Sequence, residues 1–358
     1  MTTKTKSKRI FYFDALRAMA ILCVIVIHVT GFIPKITTFT TPMFYTPLGF
    51  WEMFANNSFR IGVSLFLMLS GALSLGRDWQ IKDFLGKRLP RIIKPFAFWA
   101  IVGTLIMITA TYFIPQIAFV KDFSIQTILT TIYNTFICES PSFSHYWFFW
   151  MILGTYLIMP IFNRWLANSE LWEAEYFLAF WVINTIFDYT LMMDCPVKLS
   201  YFSSPIALVV LGYYLRHTKR EVFNHKLVAI LMIIIPMFIM LYYSYDVLAT
   251  DPLFRFNRYS ILLIIEVTGV FCLFKTSEHL KTPNKYFKIF ITAVASCSYG
   301  MYLTHCMFIH FFGKLAQNST IPMPTVYVIL LLAAFFGSLG LIYILGRIPY
   351  VQDFVGVK

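Results

Sequence analysis

Charge is scarce in this chain, and negative charge is scarcest. Only 13% of the residues are charged, and 17 Asp and Glu face 29 Lys and Arg. A soluble domain carries about a quarter charged residues. With 59% hydrophobic residues and a mean hydropathy of +0.70, the composition excludes an ordinary soluble globule. Cysteine is also sparse. The six residues Cys23, Cys138, Cys195, Cys272, Cys297 and Cys306 are scattered, which excludes a dense disulfide framework and paired metal-ligand spacing. No carboxylate–histidine motif is present and the histidines lie far apart along the chain, so no metal site is expected. There is no short-period repeat, low-complexity run or soluble appendage. The first apolar stretch lacks a small-residue cleavage site, so it reads as a retained helix and not as a removed signal.

What is abundant is apolar sequence in membrane-length runs. Ten can be read, at roughly 10–33, 59–76, 92–114, 145–163, 174–192, 201–216, 227–244, 258–275, 290–313 and 325–346. They predict an all-α fold, a polytopic membrane helical bundle of about ten transmembrane helices. Lys4, Lys6, Lys8 and Arg9 precede the first run and place the N-terminus in the cytoplasm. With that start, the alternating inner segments hold about three times as many Lys and Arg as the outer ones. Both termini are therefore expected inside. The net charge of +12 reads as a topology signal and gives no reason to invoke nucleic acid. The expected organisation is a basic tail at 1–9, one transmembrane domain over 10–346 and a cytoplasmic tail at 347–358. The longest stretches between spans, about 34–58 and 115–144, contain Pro34, Pro42, Pro47, Pro115 and Pro141 and suit irregular or re-entrant structure. Within the second, 124–138 can form a short interfacial helix.

Four patterns concentrate polar groups in or beside the spans. The first run, FYFDALRAMAILCVIVIHVTGFI, carries Asp14, Arg17 and His28. Ionisable groups at membrane depth persist where they pair, line a cavity or do chemistry. Eleven residues separate Arg17 from His28, which brings His28 to within roughly 20° of the same helix face, about 16 Å further along the axis. Asp14 and Arg17, one turn apart, can pair. In GKRLPRIIKPF, Arg88 and Arg91 lie beside Lys87 and Lys94. They form either an ordinary inner belt or a bidentate clamp for phosphate. Pro90 and Pro95 are expected to interrupt the helix there and free backbone donors for an anion. SHYWFFW places His145 and Trp147 at the start of the fourth run, as an aromatic belt or as the rim of a site. CSYGMYLTHCMFIH puts Ser298, Tyr302 and His305 on one face of the ninth. Two further acids at membrane depth, Asp188 and Glu266, have no evident partner in sequence.

Taken in order, these patterns resemble the acyltransferase-3 family of integral membrane acyltransferases. The resemblance rests on Asp14, Arg17 and His28 in the first span and on Ser70-Gly71 closing SLFLMLSGALS in the second. It continues with Arg88 and Arg91 before the third, His145, Trp147 and Phe148 at the fourth, and Ser298, Tyr299, Tyr302 and His305 late in the chain. It covers roughly residues 8–346. Ala15 and Ala18 stand where small glycines are more usual in the family, and the esterase-like domain that some members carry after the spans is not visible.

The resemblance implies transfer of an acyl group, acetyl foremost, from cytoplasmic acyl-CoA to a hydroxyl of an envelope glycan or lipid-linked sugar at the plasma membrane. His28 and Asp14 are the implied catalytic residues. Arg17, Arg88 and Arg91 are the implied acyl-CoA ligands. His145, Trp147, Tyr302 and His305 are implied on the acceptor side. No metal is implied. A thioester already has a good leaving group, so what the site must add is a base or a nucleophile. Histidine can serve as either. The rival reading is a transporter or flippase of lipid-linked saccharide, which would move its substrate unmodified. Such proteins often contain two related halves, and no such symmetry is found here.

Overall fold

A computed structural model describes residues 9–33, 47–140, 142–203, 205–247, 256–278, 284–317 and 319–357. Lys4, Lys6 and Lys8, and Pro34, Pro42 and Pro141, lie outside these. The described residues are helical and contain no strand. In chain order the helices are α1 (Phe11–Thr30), α2 (Pro47–Ser58), α3 (Gly62–Ser74), α4 (Ile81–Phe98), α5 (Thr104–Phe113), α6 (Ile125–Phe136), α7 (Trp147–Ala167) and α8 (Leu171–Ile186). They continue with α9 (Pro205–His217), α10 (Lys226–Val247), α11 (Ile261–Thr276), α12 (Lys285–Ala316), α13 (Met323–Leu332), α14 (Ser338–Leu345) and α15 (Gln352–Val355). Widened π turns join α4 to α5, extend α8 and join α13 to α14.

Every apolar run contains helix. Among the described residues, five helices are long and apolar enough to cross a bilayer: Phe11–Thr30, Ile81–Phe113, Ser144–Ala167, Lys226–Tyr243 and Met323–Leu345. The expected interfacial helix is α6, started by Ser124, whose side chain accepts from the Thr127 amide. All six cysteines are free.

Two expectations are corrected, and the C-terminal segment is given a structure. The end of the stretch 34–58 is not irregular: α2 begins at Pro47, where a missing N–H costs nothing. It turns Glu52, Asn56, Asn57 and Ser58 inward. Pro90 and Pro95 do not break α4, which runs through both. Each proline removes a donor, so the backbone groups left unpaired in that ladder are the carbonyls four residues earlier, at Gly86 and Arg91. Carbonyl oxygens do not bind an anion, and the proposed free donors are not there. The C-terminal segment, expected as a cytoplasmic tail at 347–358, packs against the bundle. It folds back so that α15 packs on α4 and Val355 is fully buried. The Val355 carbonyl accepts from the Trp99 indole at 3.4 Å, and the Gly356 carbonyl accepts from the Gly300 amide at 3.3 Å. Gly356 has φ +86°, the left-handed region that glycine adopts without strain.

α1 forms the axis of the bundle, packed along α12 and α3; α3 in turn lies along α9, and α10 along α11. α3 and α9 meet at glycines. A Cβ at Gly71 would collide with the Val209 carbonyl, and one at Gly212 with the Met68 carbonyl. Backbones approach this closely only where side chains are absent.

Candidate active site

His28 projects from the last turn of α1 toward the middle of α12. Its Nδ1 lies 2.7 Å from His305 Nε2. His305 Nδ1 lies 3.0 Å from the Met301 carbonyl, and a carbonyl can only accept, so the His305 proton is on Nδ1. His305 Nε2 then accepts, and His28 Nδ1–H donates to it. For two neutral rings this chain of bonds leaves Nε2 as the basic nitrogen of His28. Cys306 Sγ also approaches His305 Nε2, at 3.3 Å.

A third imidazole completes the cluster. His145 sits in the single 3-10 turn, Ser144–Tyr146, that precedes α7. Its ring centroid is 5.6 Å from that of His28 and 5.0 Å from that of His305. Among the described residues, His145 Nε2 is buried without a hydrogen-bond partner. Tyrosines fix the turn to its neighbours. Tyr302 OH donates to the His145 carbonyl, Tyr146 OH donates to the Leu303 carbonyl at 3.0 Å, and Tyr299 OH ties α12 to α4 through the Ile92 carbonyl at 2.8 Å. The cluster therefore stands on helices locked to one another, which is what a preorganised site requires.

Three cavities meet around these rings. Arg17, Arg88, Arg91, Ser70 and Tyr302 line the first. The second shares Tyr302 and is lined by His28, Trp147, Arg60 and Arg258. The third shares His28 with the second and adds His145, Cys306, Ser142, His310 and Asn56. His28 thus borders two cavities, and Tyr302 lines both the arginine-lined cavity and the second one.

The remaining expected residues are placed as follows. Arg88 donates to Ser74 Oγ at 2.8 Å. Arg17 is half-buried and its Nη1 lies 3.6 Å from Asp14. Asp14 is buried, and its nearer partner is Arg9, at 2.5 and 3.1 Å. It stands about 21 Å along α1 from His28, so the structure brings it to the arginines and not to the imidazoles. One face of Trp147 is covered by the Arg258 guanidinium at 4.1 Å. Ser298 donates within its own helix to the Ala295 carbonyl at 2.9 Å. Asp188 and Glu266 line none of the three cavities. The histidines, distant in sequence, do converge: ligand atoms of His28, His305 and Cys306 lie within 4.8 Å of one another. Two imidazoles on one zinc would stand about 3.3 Å apart at the usual bond length, so the 2.7 Å contact is that of a hydrogen-bonded pair.

Sequence reasoning missed Arg60, Arg258, Ser142 and His310. The two arginines look like boundary charges. Ser142 and His310, joined at 2.8 Å, are 168 residues apart.

A helical membrane scaffold with a hydrogen-bonded histidine pair, bordered by cavities beyond a triple-arginine pocket, defines a class of enzyme before it defines a substrate. The family model described as an acyltransferase domain matches residues 10–346, and the chain belongs to the acyltransferase-3 family of membrane acyltransferases. No curated protein and no solved structure matches it.

Proposed function

We propose that this protein carries an acyl group, acetyl foremost, from cytoplasmic acyl-CoA to a hydroxyl on an envelope glycan or lipid-linked sugar. The observation that carries this reading is the His28–His305 pair, bordering cavities just beyond the one that holds three arginines.

In this reading the CoA phosphates lie against Arg17, Arg88 and Arg91, where guanidinium forks pair with phosphate oxygens. Asp14, with Arg9, is a positioning residue that holds Arg17 toward the cavity. The pantetheine arm runs along the α1 face toward Tyr302, and the thioester carbonyl reaches His28. The acceptor enters through the cavities shared by His28, Trp147 and His145. His28 Nε2 takes the proton of the acceptor hydroxyl as its oxygen attacks the thioester carbon. The tetrahedral intermediate collapses, the C–S bond breaks, and the thiolate takes the proton back from His28. His305 keeps His28 in the correct tautomer. His145, which lines the cavity shared with His28, orients the incoming hydroxyl. Ten crossings with both termini inside put the arginine cavity on the cytoplasmic side.

The test uses the purified protein in liposomes with labelled acetyl-CoA. His28→Ala is expected to lose transfer by 10²–10⁴-fold, the usual range for general-base help, while CoA binding by calorimetry is retained. Undiminished transfer by that variant would remove His28 from the reaction. An acyl group trapped on His28 in the native protein would replace direct attack with a covalent route.

A further inference from the structure

Cationic side chains line the two cavities that His28 borders, which bears on the acceptor. Arg60 and Arg258 line the second cavity together with His28, and Lys314 lines the third. Among the described residues no carboxylate lines either one. Arg258 is half-buried, and no described carboxylate lies within salt-bridge distance of it. Its guanidinium carbon lies 4.1 Å from the centre of the Trp147 ring. A cation–π contact of this kind holds the guanidinium in place without neutralising its charge. Arg60 is held by a second device: its Nη1 donates to the Phe256 carbonyl at 2.7 Å, two residues before Arg258. One short segment therefore anchors both cations beside the reacting histidine. A neutral sugar gains little from Arg258, because desolvating a guanidinium is costly unless an anion replaces the water. This pair is distinct from the three arginines of the first cavity, so CoA phosphates held there do not account for it.

We infer that the acceptor is anionic, a saccharide or polyprenyl-linked sugar whose carboxylate or phosphate binds Arg258 and Arg60 while its hydroxyl faces His28. The inference rests on the acyl-transfer reading for its chemistry, but its binding claim can be tested apart from that chemistry.

The experiment measures binding and transfer with matched acceptor pairs. One pair is a tetrasaccharide of alternating glucuronic acid and N-acetylglucosamine and its carboxyl-reduced form. The other is a polyprenyl phosphate sugar and the same sugar on the uncharged polyprenol. At least one charged member is expected to bind native protein tenfold or more tightly than its neutral partner. The pair that discriminates tells a carboxylate site from a phosphate site. Arg258→Gln should abolish that preference by weakening the charged ligand alone. In turnover it should raise KM for the charged acceptor tenfold or more and change kcat by less than threefold. Equal binding of charged and neutral members in both pairs would overturn the inference. So would an Arg258→Gln variant that lowers kcat equally for both members, since the arginine would then serve the reaction centre or the fold. Charge-selective binding by His28→Ala protein, without transfer by native protein, would retain the anion site and reject the acyl-transfer reading instead.

Discussion

At the scale of single residues, the site depends on which nitrogen holds which proton. His305 is the device that settles this for His28, because its own Nδ1–H is committed to the Met301 carbonyl. Removing it leaves His28 free to rotate and to change tautomer. His305→Ala is expected to lower kcat by about 10²-fold, the lower end of what general-base help contributes, with donor KM unchanged. Stopped-flow and steady-state transfer assays separate the two. A collapse in CoA affinity with kcat intact would show that His305 serves the donor site. The arginines have the opposite signature. A hydrogen bond to a charged group contributes about 1.5–3 kcal/mol, so Arg88→Ala and Arg91→Ala should each raise acyl-CoA KM about 10- to 100-fold and leave saturated kcat closer to native. Donor affinity unchanged in both would end the phosphate-clamp assignment. Much of this chemistry was visible residue by residue: an ionisable stripe on an apolar helix is costly and therefore conspicuous. Its assembly was not visible. His28 and His305 are 277 positions apart, and no local pattern reports a contact of that range. Arg258 was missed for a different reason, since a cation at a span boundary looks the same whether it faces lipid headgroups or a cavity.

At the scale of helices, hydropathy located the elements well because each run of apolar side chains must bury its backbone in helical bonds wherever water is absent. It failed where a different force decides. α2 has only 12 residues and a polar buried face, so no apolar run announces it. The prolines of α4 misled in the other direction, because a helix at membrane depth has no better alternative than to continue past them. Its widened turn at Trp99–Gly103 follows Pro95 directly, where a π insertion relieves a disturbed ladder. The α3–α9 crossing gives a sharper test of packing. Gly71→Ala would drive a methyl into the Val209 backbone carbonyl, which cannot swing aside as a side chain can. Overpacking typically costs about 1–3 kcal/mol, so thermal unfolding in detergent should fall clearly below native. Gly154→Ala is the matched control, because a Cβ there meets nothing within 4 Å. It should leave stability unchanged or raise it by up to about 1 kcal/mol through helix propensity. Equal effects at the two positions would contradict the close approach of α3 to α9.

At the scale of the whole molecule, the folded-back C-terminus and the direction of the bundle are the two global features. The first had no sequence signal, since residues 347–358 are short, mixed and without an apolar run. The second rests on positive charge, which biases loops to the cytoplasm but does not count crossings. α9, like α3, is a weak point of a ten-crossing topology, because its 13 residues rise only about 20 Å against a hydrocarbon core of about 30 Å. It spans only if the single turn at Ser200–Phe202 and its flanks complete the path or the bilayer thins around it. Four exposed positions in successive connections decide the matter: Asp122, Asn168, Lys198 and Glu221. All six native cysteines are free, so a cysteine-free background loses no disulfide. Asp122→Cys and Lys198→Cys should react with an impermeant maleimide in intact cells, and Asn168→Cys and Glu221→Cys only after permeabilisation. Should Lys198→Cys and Glu221→Cys label from the same side, α9 does not cross. Every later helix would then be inverted, and the α12 that carries Tyr302 and His305 would run against α1 in the opposite sense to that proposed. A histidine pair formed between α1 and α12 tolerates no such inversion, so the labelling pattern tests the reaction centre as well as the topology.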